Sequence, residues 1–155
     1  MAGDILTWIL EPDTVKDRLE RIYWFLENEG YDLPKHPKDA DYSESGRGDN
    51  LWGKNMTVKY STLDKAGRKV YYYVENEVDH IMLSRIENDQ AWAISHLGDI
   101  PNILKTGKDF PGPGKVTYVG RRKYRDPERG KYFPAHVIIK EYRGLWYVDT
   151  FYIVQ

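Results

Sequence analysis

Two hydrophobic periods run along this chain, and the change from one to the other divides it. Over residues 12–29, PDTVKDRLERIYWFLENE, the apolar positions Val15, Leu19, Ile22 and Leu26 recur at helical spacing with Arg and Glu opposite them. This is the stripe of an amphipathic helix, with Pro12 and Asp13 suited to its first turn and Gly30 to its stop. Residues 33–55 have no period and are rich in Pro, Gly, Ser and Asp, which predicts a long mobile loop. The RGD at 47–49 inside it is short enough to arise by chance in a polar loop.

The period then shortens to two. MTVKYST (56–62) and KVYYYVE (69–75) flank LDKAGR and predict a hairpin, with Met56, Val58 and Tyr60 sharing one side. VDHIMLSRI reads as helix with Val78, Ile81, Met82 and Arg85 on one face, and QAWAISHL continues helically after a break at END. DIPNILKTG forms a compact helical unit in which Asp99 is the cap, Pro101 lies in the first turn and Gly107 terminates. KDFPGPGK reads as a loop and lacks phosphate-loop spacing. KVTYVGRRKY (115–124) and HVIIKEY (136–142) are strands around the basic loop RDPERGKYFPA, and the tight turn RG leads into a last strand, LWYVDTFYIV. The order predicts an α+β fold, with helices packed on one face of a mostly antiparallel sheet. It is a single domain over 1–155: a helical part (1–32), the loop (33–55) and a sheet-and-helix core (56–155).

Composition narrows the class. The chain has 155 residues, 41% hydrophobic and 14% aromatic, enough for one core, and no cysteine, which excludes disulfides and thiolate metal sites. MAGDILTWILEPD has no basic start and a short apolar run broken by Pro12, so neither a signal peptide nor a membrane span is expected. A cytoplasmic protein without membrane partners is the expectation. The net charge of −1 hides an asymmetry: Lys105 to Arg143 carries eleven Lys and Arg against four acids, whereas residues 1–104 carry twelve against nineteen. A cationic segment of this kind suits a polyanion.

Within it, GRRKYR supplies Arg121, Arg122, Lys123 and Arg125, interleaved with Tyr118, Tyr124 and Tyr132. Guanidinium forks hold phosphate oxygens, and rings beside them hold unstacked bases. The alternative is an edge strand protected by its charges. Of the four histidines, His36 reads as a surface residue and His96 as a half-buried one, whereas His80 shares a helical face with Ser84. No spaced set of His and carboxylates suggests a metal, and no cofactor is expected. A two-residue RG turn places Lys140 opposite Tyr147, Ile138 opposite Asp149 and His136 opposite Phe151. Asp149, Lys140 and His136 then form a polar face, with Thr150 and Tyr152 inside. Strict alternation makes Asp149 and Thr150 point opposite ways.

The series VDHIMLSR, DIPNIL, VTYVGRRKY and HVIIKEYRGLWYVDTFY resembles the phage-associated branch of the barnase/EndoU/colicin/RelE-like ribonuclease superfamily, over about residues 76–154. The resemblance implies a barnase/RelE-like sheet with one RNA-binding face. It also implies metal-independent cleavage of RNA, transfer RNA among the candidates, through 2′-hydroxyl attack to a cyclic phosphate. Carried over by position, the catalytic set is His80, Arg85, Lys123, Thr150 and Tyr152, with Arg121, Arg122, Arg125, Lys140 and His136 on RNA. SRI stands where relatives carry a second histidine. The rival reading is an inactive binding module or inhibitor of phage or mobile-element origin, whose acidic N-terminal part engages a host protein; a cognate inhibitor is the partner expected of a toxin-like enzyme.

Overall fold

The structure, a computed structural model, describes residues 2–155. Seven strands form one sheet: β1 (Gly48–Leu51), β2 (Lys54–Leu63), β3 (Lys69–Tyr73), β4 (Lys108–Gly112), β5 (Lys115–Arg125), β6 (Tyr132–Tyr142) and β7 (Leu145–Ile153). Their order across the sheet is β1-β2-β3-β7-β6-β5-β4. Every neighbouring pair is antiparallel except β3 and β7, which run parallel. Helices α1 (Ala2–Leu10) and α2 (Val15–Asn28) precede the sheet, while α3 (Val74–Asn76), a π-helical turn (Glu77–Met82), α4 (Leu83–Glu87), a 3₁₀ segment (Ala91–Asp99) and α5 (Ile100–Thr106) fill the β3–β4 connection. The α+β class and the mostly antiparallel sheet match the pattern-based expectation. None of these helices is long and apolar enough to cross a membrane.

The helices pack on one face. Ile22 and Leu26 of α2, Ile81 and Met82 of the π turn, and Val137, Ile139, Val148 and Phe151 of the sheet are all fully buried in one core. Thr14 caps α2, its side chain accepting from the Asp17 amide at 3.1 Å, so the helix starts later than Pro12. Asp99 does not cap α5 with its side chain. Its carboxylate instead accepts from the Tyr124 hydroxyl at 2.6 Å and from Arg122 at 3.0 Å.

Several expected loops are ordered elements. Gly48–Leu51 is β1, and the segment Lys108–Gly112 is β4 at the sheet edge. Pro111 conceals β4 from sequence reading, yet an edge strand tolerates a missing amide. The RG turn is tight as expected, with positive φ at both Arg143 (50°) and Gly144 (81°).

Three register shifts break strict alternation, one in β2, one in β5 between Val119 and Lys123, and one between β6 and β7. In β2 the register passes from Val58↔Tyr73 to Tyr60↔Tyr72. Val58 therefore joins Met56, Tyr71, Tyr73 and Tyr147 in a small second cluster, while Tyr60 stacks on Tyr72 (4.6 Å) in the main core. In β7 the register passes from Ile139↔Val148 to Ile138↔Thr150, leaving Asp149 as the extra residue. The pairing expected from the RG turn holds as far as Ile139↔Val148 and is then overturned: His136 faces Tyr152 and Ile138 faces Thr150. The extra residue also cancels the parity rule. Val148 and Phe151 face the core, so Asp149 and Thr150 share the opposite side of the sheet.

Candidate active site on the uncovered sheet face

The face away from the helices is covered only in part. The β1–β2 hairpin curls over it, setting the Trp52 ring 4.9 Å from that of Tyr147 and 5.2 Å from that of Tyr142. Beyond β7 the face is open. By register its residues are Lys108 and Phe110 on β4, and Lys115, Thr117, Val119, Lys123 and Arg125 on β5. They continue through Tyr132, His136, Ile138 and Lys140 on β6 to Asp149, Thr150 and Tyr152 on β7. All are exposed or half-buried, whereas the alternate positions Val116, Tyr118, Val137 and Ile139 are buried. Among the described residues of β4–β7, this face carries five cations (Lys108, Lys115, Lys123, Arg125, Lys140) and one carboxylate, Asp149. A patch of this charge and aromatic content suits the backbone and bases of a single-stranded nucleic acid.

Two groups of titratable side chains lie along β7. At one, Asp149 Oδ2 is 3.2 Å from Lys140 Nζ and 3.9 Å from His80 Nε2. His80 sits in the π-helical turn, a rare form of helix that is frequent at functional sites. The turn is held against β7 by Asn76, whose amide donates to the carbonyls of Val148 (2.7 Å) and Asp149 (3.1 Å). Burial pushes the Asp149 carboxyl upward, but His80 and Lys140 outweigh it, and the net shift is below the usual carboxylate value. The cleft beside this group has a volume of about 430 Å³ and includes Trp52, Asn55, Glu75 and Tyr147 in its lining.

At the other, His136 Nδ1 lies 3.0 Å from the Tyr152 hydroxyl. With Nδ1–H donating to Tyr152, Nε2 is left as a proton acceptor; the opposite tautomer leaves it as a donor. Burial lowers the His136 pKa, so the ring is predominantly neutral near pH 7. Tyr152 in turn lies over Arg85, whose guanidinium carbon is 5.6 Å from the ring centroid.

The side chains singled out from sequence are thus dispersed in a specific way. His80, Lys140, His136, Thr150 and Tyr152 are brought to the open face, with Lys123 and Arg125 further along it. Arg85 is only 7% exposed, donates to Gln90 Oε1 and leaves its buried Nε without a partner. It therefore supports Tyr152 from within rather than meeting a phosphate. Gln90 also bonds both the amide and the carbonyl of Ile153, acting as a neighbouring strand would. Arg121 and Arg122 lie on the helix side, donating to the Thr106 carbonyl (2.7 Å) and to Asp99. Tyr118 and Tyr124 are buried there too, their hydroxyls donating to Asp64 (2.7 Å) and Asp99. His96 lies against Tyr124, its pKa lowered by burial and then by Arg122.

The sequence reading passed over Lys108, Phe110 and Lys115, yet their alternation in KDFPGPGK was the signal for an edge strand facing the site. Trp52 and Asn55 carried no such signal, because their place depends on how the hairpin curls. Among the described residues, no cluster of three or more His, Asp or Glu is arranged to hold a metal ion. No protein-family model, curated protein or solved structure matches the chain.

Proposed function

We propose that the chain binds single-stranded RNA across the open β4–β7 face and cleaves it through attack of a ribose 2′-hydroxyl. The observation that supports this reading is the convergence, on one uncovered sheet face, of two histidines, a tyrosine and five cations opposed by one acid. His136 Nε2 takes the proton from the 2′-hydroxyl. The 2′-oxygen then bonds to phosphorus as the bond to the 5′-oxygen breaks, and protonated His80 supplies the proton that the leaving oxygen needs. Asp149 faces His80 at 3.9 Å, and Lys140 offsets charge on the phosphorane. Phe110 and Tyr132, 49% and 62% exposed, offer surfaces for flanking bases.

Lys123 and Arg125 hold phosphates further along the strand. The barnase/RelE-like relationship, and with it a toxin-like role in the cytoplasm, belongs to the same proposal and rests on short motifs alone.

The test is incubation with end-labelled RNA in the presence of chelator. A 2′,3′-cyclic phosphate end is expected from the wild type, and about 10²-fold or greater loss from His136→Ala or His80→Ala, each removing one proton-transfer group. Cleavage unaffected by both substitutions would remove these residues from the chemistry.

The inhibitor reading is less well supported. Some acids of the N-terminal part are already engaged within the protein: Asp79 by Arg18, Glu11 by Arg21, Glu77 by Lys59 and Asp64 by Arg68.

A further inference from the structure

A second cleft opens in the helical layer, between α1, α2, the end of α4 and the β5–β6 turn, with a volume of about 470 Å³. Its size is that of a small-molecule site. Ile86 and Ala91 form a buried floor, 3% and 8% exposed. Trp24, Phe25 and Tyr31 supply aromatic walls, and Trp24 is 53% exposed.

The rim has one sign of charge. Glu29, Asp89 and Glu128 come from three separate parts of the chain, and no Lys or Arg lines the cleft. Among the described residues none of the three carboxylates has an ion-pair partner, whereas Glu11, Glu44, Asp64, Glu77 and Asp79 each have at least one. Burial and then the charges of Glu29 and Glu128 raise the Tyr31 pKa, so the negative potential reaches into the cleft rather than dissipating at its edge.

An aromatic-walled hollow with unpaired carboxylates is complementary to one ligand chemistry. The ring faces attract a cation through their quadrupoles, the acids attract it through charge, and the floor takes its apolar body. We infer that this cleft is a binding site for a small organic cation, an alkylammonium on an apolar or aromatic body. It lies in the helical layer, apart from the proposed RNA face, and does not depend on that reading.

Phenethylammonium and its neutral counterpart 2-phenylethanol test this directly in the full chain. Titrations are followed at the Trp24 indole N–H resonance, assigned by its absence in Trp24→Phe. The ammonium compound is expected to bind about 10-fold or more tightly than the alcohol at low salt. A triple variant, Glu29→Gln, Asp89→Asn and Glu128→Gln, should bring that ratio close to one; all three positions are exposed, and the thermal midpoint verifies folding. Equal affinity for the two compounds, no shift at Trp24, or a preference that survives the triple variant would overturn the inference. A lysine-rich peptide that shifts Trp24 where phenethylammonium does not would overturn it as well, in favour of a protein partner.

Discussion

The two faces of the β4–β7 sheet use the same residue types for opposite ends. On the helix side, Tyr118 and Tyr124 are buried, donate to Asp64 and Asp99 and have pKa values driven upward, first by burial. Arg121 and Arg122 there are held by a carbonyl and a carboxylate. On the open side, Tyr132 and Phe110 are exposed, Tyr152 meets a histidine, and Lys123 and Arg125 lie at exposed positions. Tyrosine and arginine in GRRKYR therefore carry no functional meaning until the face is known. Alternation along β5, together with the irregularity between Val119 and Lys123 that lets both Arg121 and Arg122 turn to the helix side, decides which are structural and which are free to meet a ligand.

The sharpest way to break the comparison is a pair of phenylalanine truncations. Phe151→Ala on the helix side empties a fully buried site and should cost about 3–5 kcal/mol of stability in denaturant unfolding. Phe110→Ala on the open side should change stability by no more than about 0.5 kcal/mol. Comparable losses from both would show that the open face is not open.

Next in size is the buried carboxylate of Glu77, 4% exposed, which bonds Lys59 at 3.0 Å and accepts from Tyr72 at 2.6 Å. Lys59→Met removes its cation and should cost about 3 kcal/mol, read from the same unfolding curves. A neutral result would mean that Tyr72 alone satisfies the acid.

Two smaller effects sharpen the functional side. Lys123→Ala combined with Arg125→Ala should leave the unfolding midpoint nearly unchanged. It should also flatten the log–log salt dependence of binding to single-stranded RNA by about 1.4, the value for two lost phosphate contacts. Arg121→Ala with Arg122→Ala should not alter that slope.

The smallest effect is a pH dependence. Burial places the folded pKa of His136 and of His96 below the unfolded value near 6.5. Between the folded and unfolded values the unfolded chain binds more protons, so stability is complete above pH 6.5 and declines as pH falls through the folded values. Asp149 acts with the same sign at lower pH: its contribution is present above the unfolded carboxylate value near 3.9 and is lost below it, through the depressed folded value. Thermal midpoints of wild type and His96→Gln between pH 5 and 8 should converge on acidification. Parallel curves would exclude His96 as a contributor.

Much of the scaffold was legible because its signals are local. The stripe of α2, the RG turn and the alternation in 136–142 each depend on residues within one element. The bulges were not legible, since an extra residue in a strand has no signature of its own, and they matter most. One at Lys59 separates Val58 from Tyr60, and one at Asp149 puts that carboxylate and Thr150 on the same side. His80, Lys140 and His136 were recognisable as chemistry-bearing types. Their grouping needed the register. The burial of Arg85 was signalled by the face it shares with Val78, Ile81 and Met82, but its type pointed to a phosphate, because a cation without a carboxylate partner is an uncommon core residue.

The most direct test of the central claim is a chemical-shift map of the protein titrated with a short, non-cleavable single-stranded RNA carrying 2′-deoxy or 2′-O-methyl sugars. The account predicts that perturbations concentrate on the outward positions of β4–β7, with His136, Lys140, Phe110 and Tyr152 among the largest, while Tyr118, Tyr124 and Arg122 on the helix side stay near their free positions. Shifts centred on the helix side, or none at millimolar RNA, would contradict it.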